Sequence, residues 1–306
     1  MYKDLTIAIA TYNSEQIIAN CLNSLKGAHE LGAEILVIDN NSTDKTSEII
    51  KNEFGFVRYI NTGGNYGFGY SFNKGVELSG TKYAAVLNAD IEVNANTFLP
   101  LINVLSKEKN ACVAAPATYT LGGELEGNIR KFPTLSTQFC ESFLGGKLSK
   151  KLNKSETISD EANYKHTHKV EWIKGAIWCV NKEIFTSLKG MRTDFFLYSE
   201  ETEFAWRCRD NGYEIFIVPE AKATHIGGES DTHPLLFTLL CFNKLVLMRI
   251  RKKYINFQLF RLFLIASFVL RINKSYSRES LKHICLSFFN FENRRKKIIE
   301  KLNGTI

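Results

Sequence analysis

No apolar run in this 306-residue chain reaches the about 18–20 residues that a helix needs to cross a bilayer. The nearest candidate, Leu262 to Leu270, is bounded by Arg261 and Arg271, so no membrane span is expected. No secretory signal is expected either. Met1-Tyr2-Lys3-Asp4 runs directly into Leu5-Thr6-Ile7-Ala8-Ile9-Ala10, too short for an apolar signal core with a cleavage site. The seven cysteines (Cys21, Cys112, Cys140, Cys179, Cys208, Cys241 and Cys285) are odd in number, scattered, and never spaced as CxxC. That argues against a disulfide framework and a structural zinc site. A reducing, cytoplasmic compartment is the expectation.

Two common nucleotide fingerprints are also absent. A dinucleotide fold would place G-x-G-x-x-G after the first strand. Here that position reads Ala10-Thr11-Tyr12-Asn13-Ser14, without glycine. The glycine-rich segment is Gly63-Gly64-Asn65-Tyr66-Gly67-Phe68-Gly69, and Phe72 stands where the last glycine would fall. On its own it reads as a flexible turn into a helix. There is no Walker A motif, and the Q-x-x-R-W signature of processive polysaccharide synthases is missing.

What is present is ordinary globular material. Hydrophobic residues make up 44% and charged residues 23%, enough for a packed core without staples. The length suggests about two domain-sized units. Charge is unevenly spread. Lys244 to Ile306 carries 15 Lys/Arg against 3 Asp/Glu, a balance of +12, in a chain whose formal charge is +7. An acidic body is therefore followed by a basic tail, which suggests a charged partner for the tail alone.

The first half alternates in type. Residues 5–10, 34–38, 57–60 and 82–87 read as strands. Residues 14–26, 43–54, 67–78 and 97–108 read as helices, the first with apolar Ile17, Ile18, Cys21, Leu22 and Leu25 at helical spacing and Ser14 as N-cap. Repeated β–α units imply an α/β fold, a mostly parallel sheet with flanking helices. Residues 111–116 read as a further strand. Residues 122–168 are polar and weakly periodic, and read as an insertion or mobile loop. Strand character returns over 170–180 and 214–218, a helix is expected over 200–211, and basic helices follow from Pro234.

In open α/β sheets, ligands bind beyond the carboxyl ends of the strands. Three such ends are polar: Thr11-Tyr12-Asn13, Asp39-Asn40-Asn41-Ser42-Thr43-Asp44, and Asn88-Ala89-Asp90. Asp44 suits a plain helix cap. Asp39 and Asp90 sit at the strand ends, several residues before the next helix, and two acids converging on one crevice suit a divalent cation carrying a diphosphate.

Taken in order, these segments resemble the family 2 glycosyltransferases, in particular their rhamnosyltransferase-like branch. The matching pieces are Thr11-Tyr12-Asn13, Val37 to Ser42, Asn65 to Gly69 with Asn73 and Gly75, and Leu87-Asn88-Ala89-Asp90. Glu171-Trp172 with Gly175-Ala176, Phe195 to Glu201, and His225 after Pro219 and Ala221 complete the series. The match covers about residues 4 to 228.

The resemblance implies a GT-A catalytic domain over residues 1–230, a basic helical extension over 231–306, and an inverting transfer of one sugar from a nucleotide sugar (dTDP-, UDP- or GDP-linked, with rhamnose the first guess). The acceptor would be a saccharide or lipid-linked saccharide in bacterial cell-surface polysaccharide synthesis. Thr11, Tyr12 and Asp39 would hold the nucleoside, with Asn13, Asn40, Asn65, Gly67, Asn73 and Asn88 also on the donor side. Asp90 would bind Mg²⁺ or Mn²⁺, with His225 as a further metal or diphosphate ligand. Glu201 would be the general base, with Glu200 its rival. Trp172, Gly175 and Ala176 would line the acceptor subsite. Such a transfer needs a cation to stabilise the leaving diphosphate and a base beside the acceptor hydroxyl. Asn88 stands where many relatives carry an acid, and Glu201 and Glu203 stand where they carry aspartates.

Plainer readings exist for each part. Glu200, Glu201 and Glu203 suit a solvated first helical turn, and a lone histidine is more often structural than a ligand. Trp206 reads as core. The tail interleaves Arg249, Arg251, Lys252, Lys253, Arg261, Arg271 and Arg294 to Lys297 with Leu, Phe and Ile. It suits either an anionic membrane interface or packing on the catalytic domain or a second subunit. No nucleic-acid motif accompanies the charge. The competing functions are a nucleotidyltransferase, which would be expected to carry a glycine-rich basic loop after the first strand, and a non-catalytic nucleotide-sugar-binding module, which would leave Glu200 and Glu201 without a task.

Overall fold

The computed structural model describes residues 1–227, 233–251 and 254–305. The chain divides into two compact units. The first comprises Met1–Arg130, Ser159–Phe196 and Glu200–Gly227, and the second Lys131–Ile158, Leu197–Ser199 and Gly228–Ile306.

In the first unit, strands β1 (Leu5–Thr11), β2 (Glu34–Asp39), β3 (Val57–Asn61) and β4 (Tyr83–Asn88) are joined through helices α1 (Ile18–Glu30), α2 (Thr46–Glu53) and α3 (Phe68–Leu78). β1, β2 and β4 are almost continuously apolar and buried along their length, the pattern of strands covered on both faces. β1 runs parallel to β2 and β4, and β2 to β3. The register sets Thr11 opposite Asp39 and Ala10 opposite Asn88. The carboxyl ends of three strands therefore finish level and present their polar residues side by side.

The rest of the sheet is mixed. β5 (Ile91–Val93), α4 (Phe98–Lys107), β6 (Ala111–Tyr119), β7 (Leu125–Glu126) and β8 (Ile129–Arg130) come next in the chain. The strand character expected over 170–180 takes the form of three short strands, β10 (His168–Val170), β11 (Trp172–Ile173) and β12 (Ile177–Asn181), β9 (Thr157–Ile158) belonging to the second unit. β12 lies antiparallel between β4 and β6, and β13 (Glu214–His225) is parallel to β6. β13 runs well past the expected 214–218. Its register shifts between Val218 and Lys222, around Pro219, and beyond the shift it pairs with β5, setting His225 opposite Ile91. A proline cannot donate to the ladder, and this irregularity carries the strand end to the site.

One core cluster fills the space between the sheet and its helices, with Ile7, Ile9, Leu22, Leu25, Val37, Leu87 and Phe98 among its members. α1 begins at Ile18, later than expected. Ser14 does not cap it with its side chain; its carbonyl accepts from Ile17 and Ile18 N–H, and its hydroxyl donates to Tyr12 O. Asp44 does serve a helix start, accepting from Thr46 N–H at 3.0 Å and from Glu15 N–H at 3.0 Å. Helices α7 (Lys182–Ser187) and α8 (Glu200–Asp210) complete this unit.

The second unit replaces the mobile-loop alternative for part of 122–168 with regular elements. It contains α5 (Leu135–Phe143), started by a capping box between Thr134 and Thr137, and α6 (Gly145–Lys151). α9 (Pro234–Arg251), α10 (Tyr254–Leu270), α11 (Ser275–Leu286) and α12 (Phe291–Thr305) follow, as the helical character of the tail implied. Lys252 and Lys253 lie outside the described residues. Arg271 fastens α10 to the end of α5 by donating to the carbonyls of Glu141 and Ser142. Among the described residues no helix is long and apolar enough to cross a membrane.

Candidate active site

The level strand ends carry two buried acceptors that the protein leaves open. Thr11 Oγ1 and Asn40 Oδ1 have no hydrogen-bond partner among the described residues. Burying such groups without a partner costs roughly 1–3 kcal/mol each, and a ligand offering donors would remove that cost. Asn40 is otherwise fixed, its N–H to Thr11 O at 2.9 Å and its side-chain amide to Gly67 O at 3.3 Å.

The neighbouring residues hold the loops that frame this crevice. Asp39 is fully buried. One of its oxygens accepts from Ser42 N–H and hydroxyl at 2.9 and 2.6 Å, and the other from the Tyr59 hydroxyl. Burial, and then the bond to Asp39, push the Tyr59 phenol above its ordinary range. Asn13, at φ 48°, accepts from Thr43 N–H at 2.8 Å and so ties the first loop to the second. Asn65 accepts from Gly67 N–H at 3.1 Å. Gly67 itself has φ 85°, and a Cβ there would lie 2.0 Å from Phe196 O, so only glycine fits. Asn73 spends both halves of its amide on Met191, whose N–H and C=O it meets at 2.8 Å each. These residues therefore shape the crevice through the backbone.

Asp90 follows the end of β4. Its Oδ2 lies 3.2 Å from His225 Nε2, and its Oδ1 is buried with no partner among the described residues. The other imidazole nitrogen, Nδ1, is 2.8 Å from Glu126 Oε2, and Glu126 Oε1 accepts from Lys174 Nζ at 3.1 Å. The three side chains Asp90, His225 and Glu126 are only 17%, 17% and 22% exposed. Burial would lower the imidazole's affinity for a proton, but its bonds to Asp90 and Glu126 outweigh burial and raise it to about 9. For Glu126, burial is likewise opposed by the bond to His225 and the charge of Lys174, which together hold the carboxyl at about 2. At neutral pH the ligand-free His225 ring is thus protonated, between the side chains of Asp90 and Glu126.

The expected acidic turn opens α8. Glu201 is half-buried, and its Oε1 accepts from Gly175 N–H at 3.3 Å. A Cβ on Gly175 would stand 2.7 Å from Glu201 Cγ and Oε1, so the carboxylate rests on bare backbone. The next residue, Ala176, accepts at its carbonyl from Asn88 N–H at 2.9 Å. Asn88 is two residues from Asp90. The segment 174–176 therefore joins the two acidic groups: Lys174 bonds Glu126, Gly175 bonds Glu201, and Ala176 bonds Asn88 at the end of the strand that precedes Asp90. Glu200, by contrast, is 1% exposed. Glu203 is held by the Arg207 guanidinium at 2.7 Å, and Arg207 also donates to the carbonyls of Leu188 and Gly190, which is structural work. Trp172 is half-buried in β11. Trp178 and Trp206 are core residues.

Reading the sequence missed Glu126 and Lys174. Glu126 lies in a two-residue strand within a polar stretch, 99 residues from its partner histidine, and no spacing rule could join them.

The chain belongs to glycosyl transferase family 2, whose sequence model matches residues 6–166, just over half of its length. It is 26% identical over 229 residues to the low-salt glycan biosynthesis hexosyltransferase Agl10 of Haloferax volcanii, an overlap of 74% of this chain and 68% of the relative. It is 24% identical over 233 residues to the N-acetylglucosaminyl-diphospho-decaprenol L-rhamnosyltransferase of Mycobacterium tuberculosis, covering 72% of this chain and 75% of that one. Among solved structures, the mannosyltransferase PcManGT from Pyrobaculum calidifontis, in complex with GDP-Man and Mn²⁺, superposes with a TM-score of 0.57 at 12% identity, over 97% of this chain and 85% of that one. GalNAc-T7 with UDP, GalNAc and Mn²⁺ superposes with a TM-score of 0.56 at 18% identity, over 72% of this chain and 42% of that chain. The chain thus spans less than half the length of GalNAc-T7. The fold is GT-A, and the protein is a glycosyltransferase.

Proposed function

We propose that the chain transfers a single sugar, with inversion, from a nucleoside-diphosphate sugar to the hydroxyl of a saccharide or lipid-linked saccharide, in the building of a cell-surface polysaccharide. The observation that carries this reading is the unpartnered, buried Asp90 Oδ1 beside His225, reached from strand ends where Thr11 and Asn40 also hold unused acceptors. The reaction is assigned to residues 1–230.

The residues present fit a divalent cation, Mg²⁺ or Mn²⁺, bound jointly with the donor. Asp90 offers an oxygen already stripped of partners, and His225 Nε2 lies beside that carboxylate. Among the described residues no group of three or more His, Cys, Asp or Glu could hold an ion alone, so diphosphate oxygens and water would supply the remaining ligands. When bound, the ion neutralises charge building on the leaving diphosphate. Glu126 takes a further role: by accepting from His225 Nδ1–H it fixes the ring, so that Nε2, once its proton is lost, would be the nitrogen available to an ion, as when an outer carboxylate orients a histidine ligand.

Thr11, Tyr12, Asn13, Asp39 and Asn40 form the nucleoside side, with Asn65, Gly67, Asn73 and Asn88 shaping it. Glu201 is the base. Of Glu200 and Glu201 it is the one that meets the 174–176 segment, whereas Glu200 is buried away from solvent. As the acceptor oxygen bonds to the anomeric carbon and the bond to the diphosphate breaks on the opposite face, Glu201 takes the hydroxyl proton. Trp172, Gly175 and Ala176 line the acceptor side. Similarity to an L-rhamnosyltransferase supports dTDP-rhamnose as the first donor to try, and a lipid-linked acceptor would bring the tail to an anionic membrane.

A thermal-shift screen of UDP-, GDP- and dTDP-sugars with and without Mn²⁺ tests the reading. One nucleotide class should stabilise the protein only with the metal present. If none of them does so, the reading fails.

A further inference from the structure

The second unit carries a surface whose composition the transferase chemistry does not explain. α10 contains a single charged residue, Arg261, and that residue is buried, its guanidinium over the rings of Phe257, Phe288 and Phe291. One stripe of the helix packs inward through Phe257, Phe260, Leu264 and Phe268. The opposite stripe, at i, i+4, i+7 and i+14, is Ile255, Leu259, Leu262 and Val269. Ile255 is 69% exposed, Leu262 52% and Val269 55%. A surface helix ordinarily turns a polar face to water, and this one has none.

The apolar stripe continues onto α5. The rings of Phe139 and Phe143 lie 4.8 Å apart, and Phe263 of α10 meets them at 5.4 and 6.2 Å. Phe139 and Phe143 are both exposed, as are Leu144 and Leu148 on the approach to and within α6. α6 adds exposed Lys147, Lys150 and Lys151. Residues 131–158 contain five lysines and two glutamates. Both glutamates are engaged, Glu141 with Ser155 and Glu156 with Lys244. The apolar face thus lies beside a helix with three exposed lysines, in a unit whose segment Lys244 to Ile306 carries a formal balance of +12.

We infer that this face, formed by the outer stripe of α10 with Phe139 and Phe143 of α5 and the lysines of α6, docks the protein in the plane of an anionic lipid surface. Charge decides between occupants. A second copy meeting the same patch would bring the α6 lysines against their own kind. Anionic headgroups complement them, while the acyl boundary accepts the aliphatic and aromatic stripe. With no helix long enough to span among the described residues, the chain would lie on the bilayer. This inference goes beyond the sugar-transfer reading and does not depend on it, since vesicle binding is measured without donor or acceptor.

The test is co-sedimentation of the full chain with vesicles containing phosphatidylglycerol and with vesicles of phosphatidylcholine alone. The wild type should bind the former, less at higher salt, and bind the latter weakly. Leu262→Glu with Val269→Glu, both at exposed positions, should lower binding by about tenfold or more, with an unchanged circular dichroism melt. Lys147→Gln, Lys150→Gln and Lys151→Gln together should also weaken it by about tenfold or more. A wild type that stays in the supernatant with the anionic vesicles overturns the proposal. So does a folded Leu262→Glu/Val269→Glu chain that binds like wild type. A wild-type dimer that this variant converts to monomer, without vesicle binding, gives the face to a second copy and also overturns it. Should the glutamate variant fail to fold, the lysine variant decides, and undiminished binding by it sinks the idea.

Discussion

Glu126 and His225 are joined by a 2.8 Å contact between Oε2 and Nδ1, and this contact decides which way the imidazole faces. The other ring nitrogen is left for Asp90. Glu126→Gln keeps the shape but removes the negative charge that fixes the ring's tautomer. Mn²⁺ affinity, followed by the electron paramagnetic resonance of the free ion in the presence of donor, should fall about 10–100-fold. Unaltered affinity would show that Glu126 has no part in orienting His225.

The same cluster fixes a pH dependence. His225 is raised from 6.5 to about 9 in the folded, ligand-free protein. Its contribution to stability is therefore fully present below pH 6.5 and is lost as pH rises through about 9. Glu126, lowered from 4.5 to about 2, contributes above pH 4.5 and loses its share as pH falls through about 2. The cluster should stabilise most between these limits. The metal-free protein should lose on the order of 2 kcal/mol between pH 6.5 and 9, seen as a fall in melting temperature that His225→Asn largely removes. A melting temperature flat across that window would contradict the ion pair.

Gly175→Ala probes the base without touching it. The new methyl would stand 2.7 Å from Glu201 Cγ and Oε1, and the end of a flexible side chain yields more readily than backbone. The carboxylate should swing away, lowering kcat about 100-fold while donor KM and melting temperature hold. Glu201→Gln should lower transfer by about 10²–10⁴-fold and retain donor binding. Full transfer activity in Glu201→Gln would remove the base from this position.

Asn243 tests a different link. Fully buried in α9, it donates to Leu197 O and Tyr198 O at 2.8 and 3.0 Å, and accepts from Arg295 Nε at 2.7 Å. Tyr198 and Ser199 there adopt φ of 71° and 78°, a conformation that non-glycine residues hold only when neighbours enforce it. Asn243→Ala should cost about 2–4 kcal/mol, measured by chemical denaturation. A loss below about 0.5 kcal/mol would mean that the loop holds itself.

The parts of the molecule that could be read from residues alone are those whose signals are local. The strands ending at Thr11, Asp39 and Asn88 announce themselves as apolar runs closed by polar residues, and the parallel sheet follows from their alternation with amphipathic helices. α5 was hidden because it buries the polar Thr137, Gln138 and Ser142 and leaves Phe139 and Phe143 exposed, the reverse of the usual helical pattern. β13 reads as ending near Val218 because Pro219 is a usual strand breaker, yet the strand resumes past the shift in register. Glu126 could not be found, since its meaning lies in a contact formed only when β7 and β13 flank β6. Asn73 and Gly67 were attributed to the donor side, and the structure gives them backbone tasks with Met191 and Phe196 that no single sequence discloses.

The most direct test of the account is calorimetric titration of the donor nucleotide, with Mn²⁺ and with chelator, into wild type, Asp90→Ala and Glu201→Gln. The account expects metal-dependent binding in wild type and Glu201→Gln, and its loss in Asp90→Ala. Equal affinity for the nucleotide in chelator and in Asp90→Ala would contradict it.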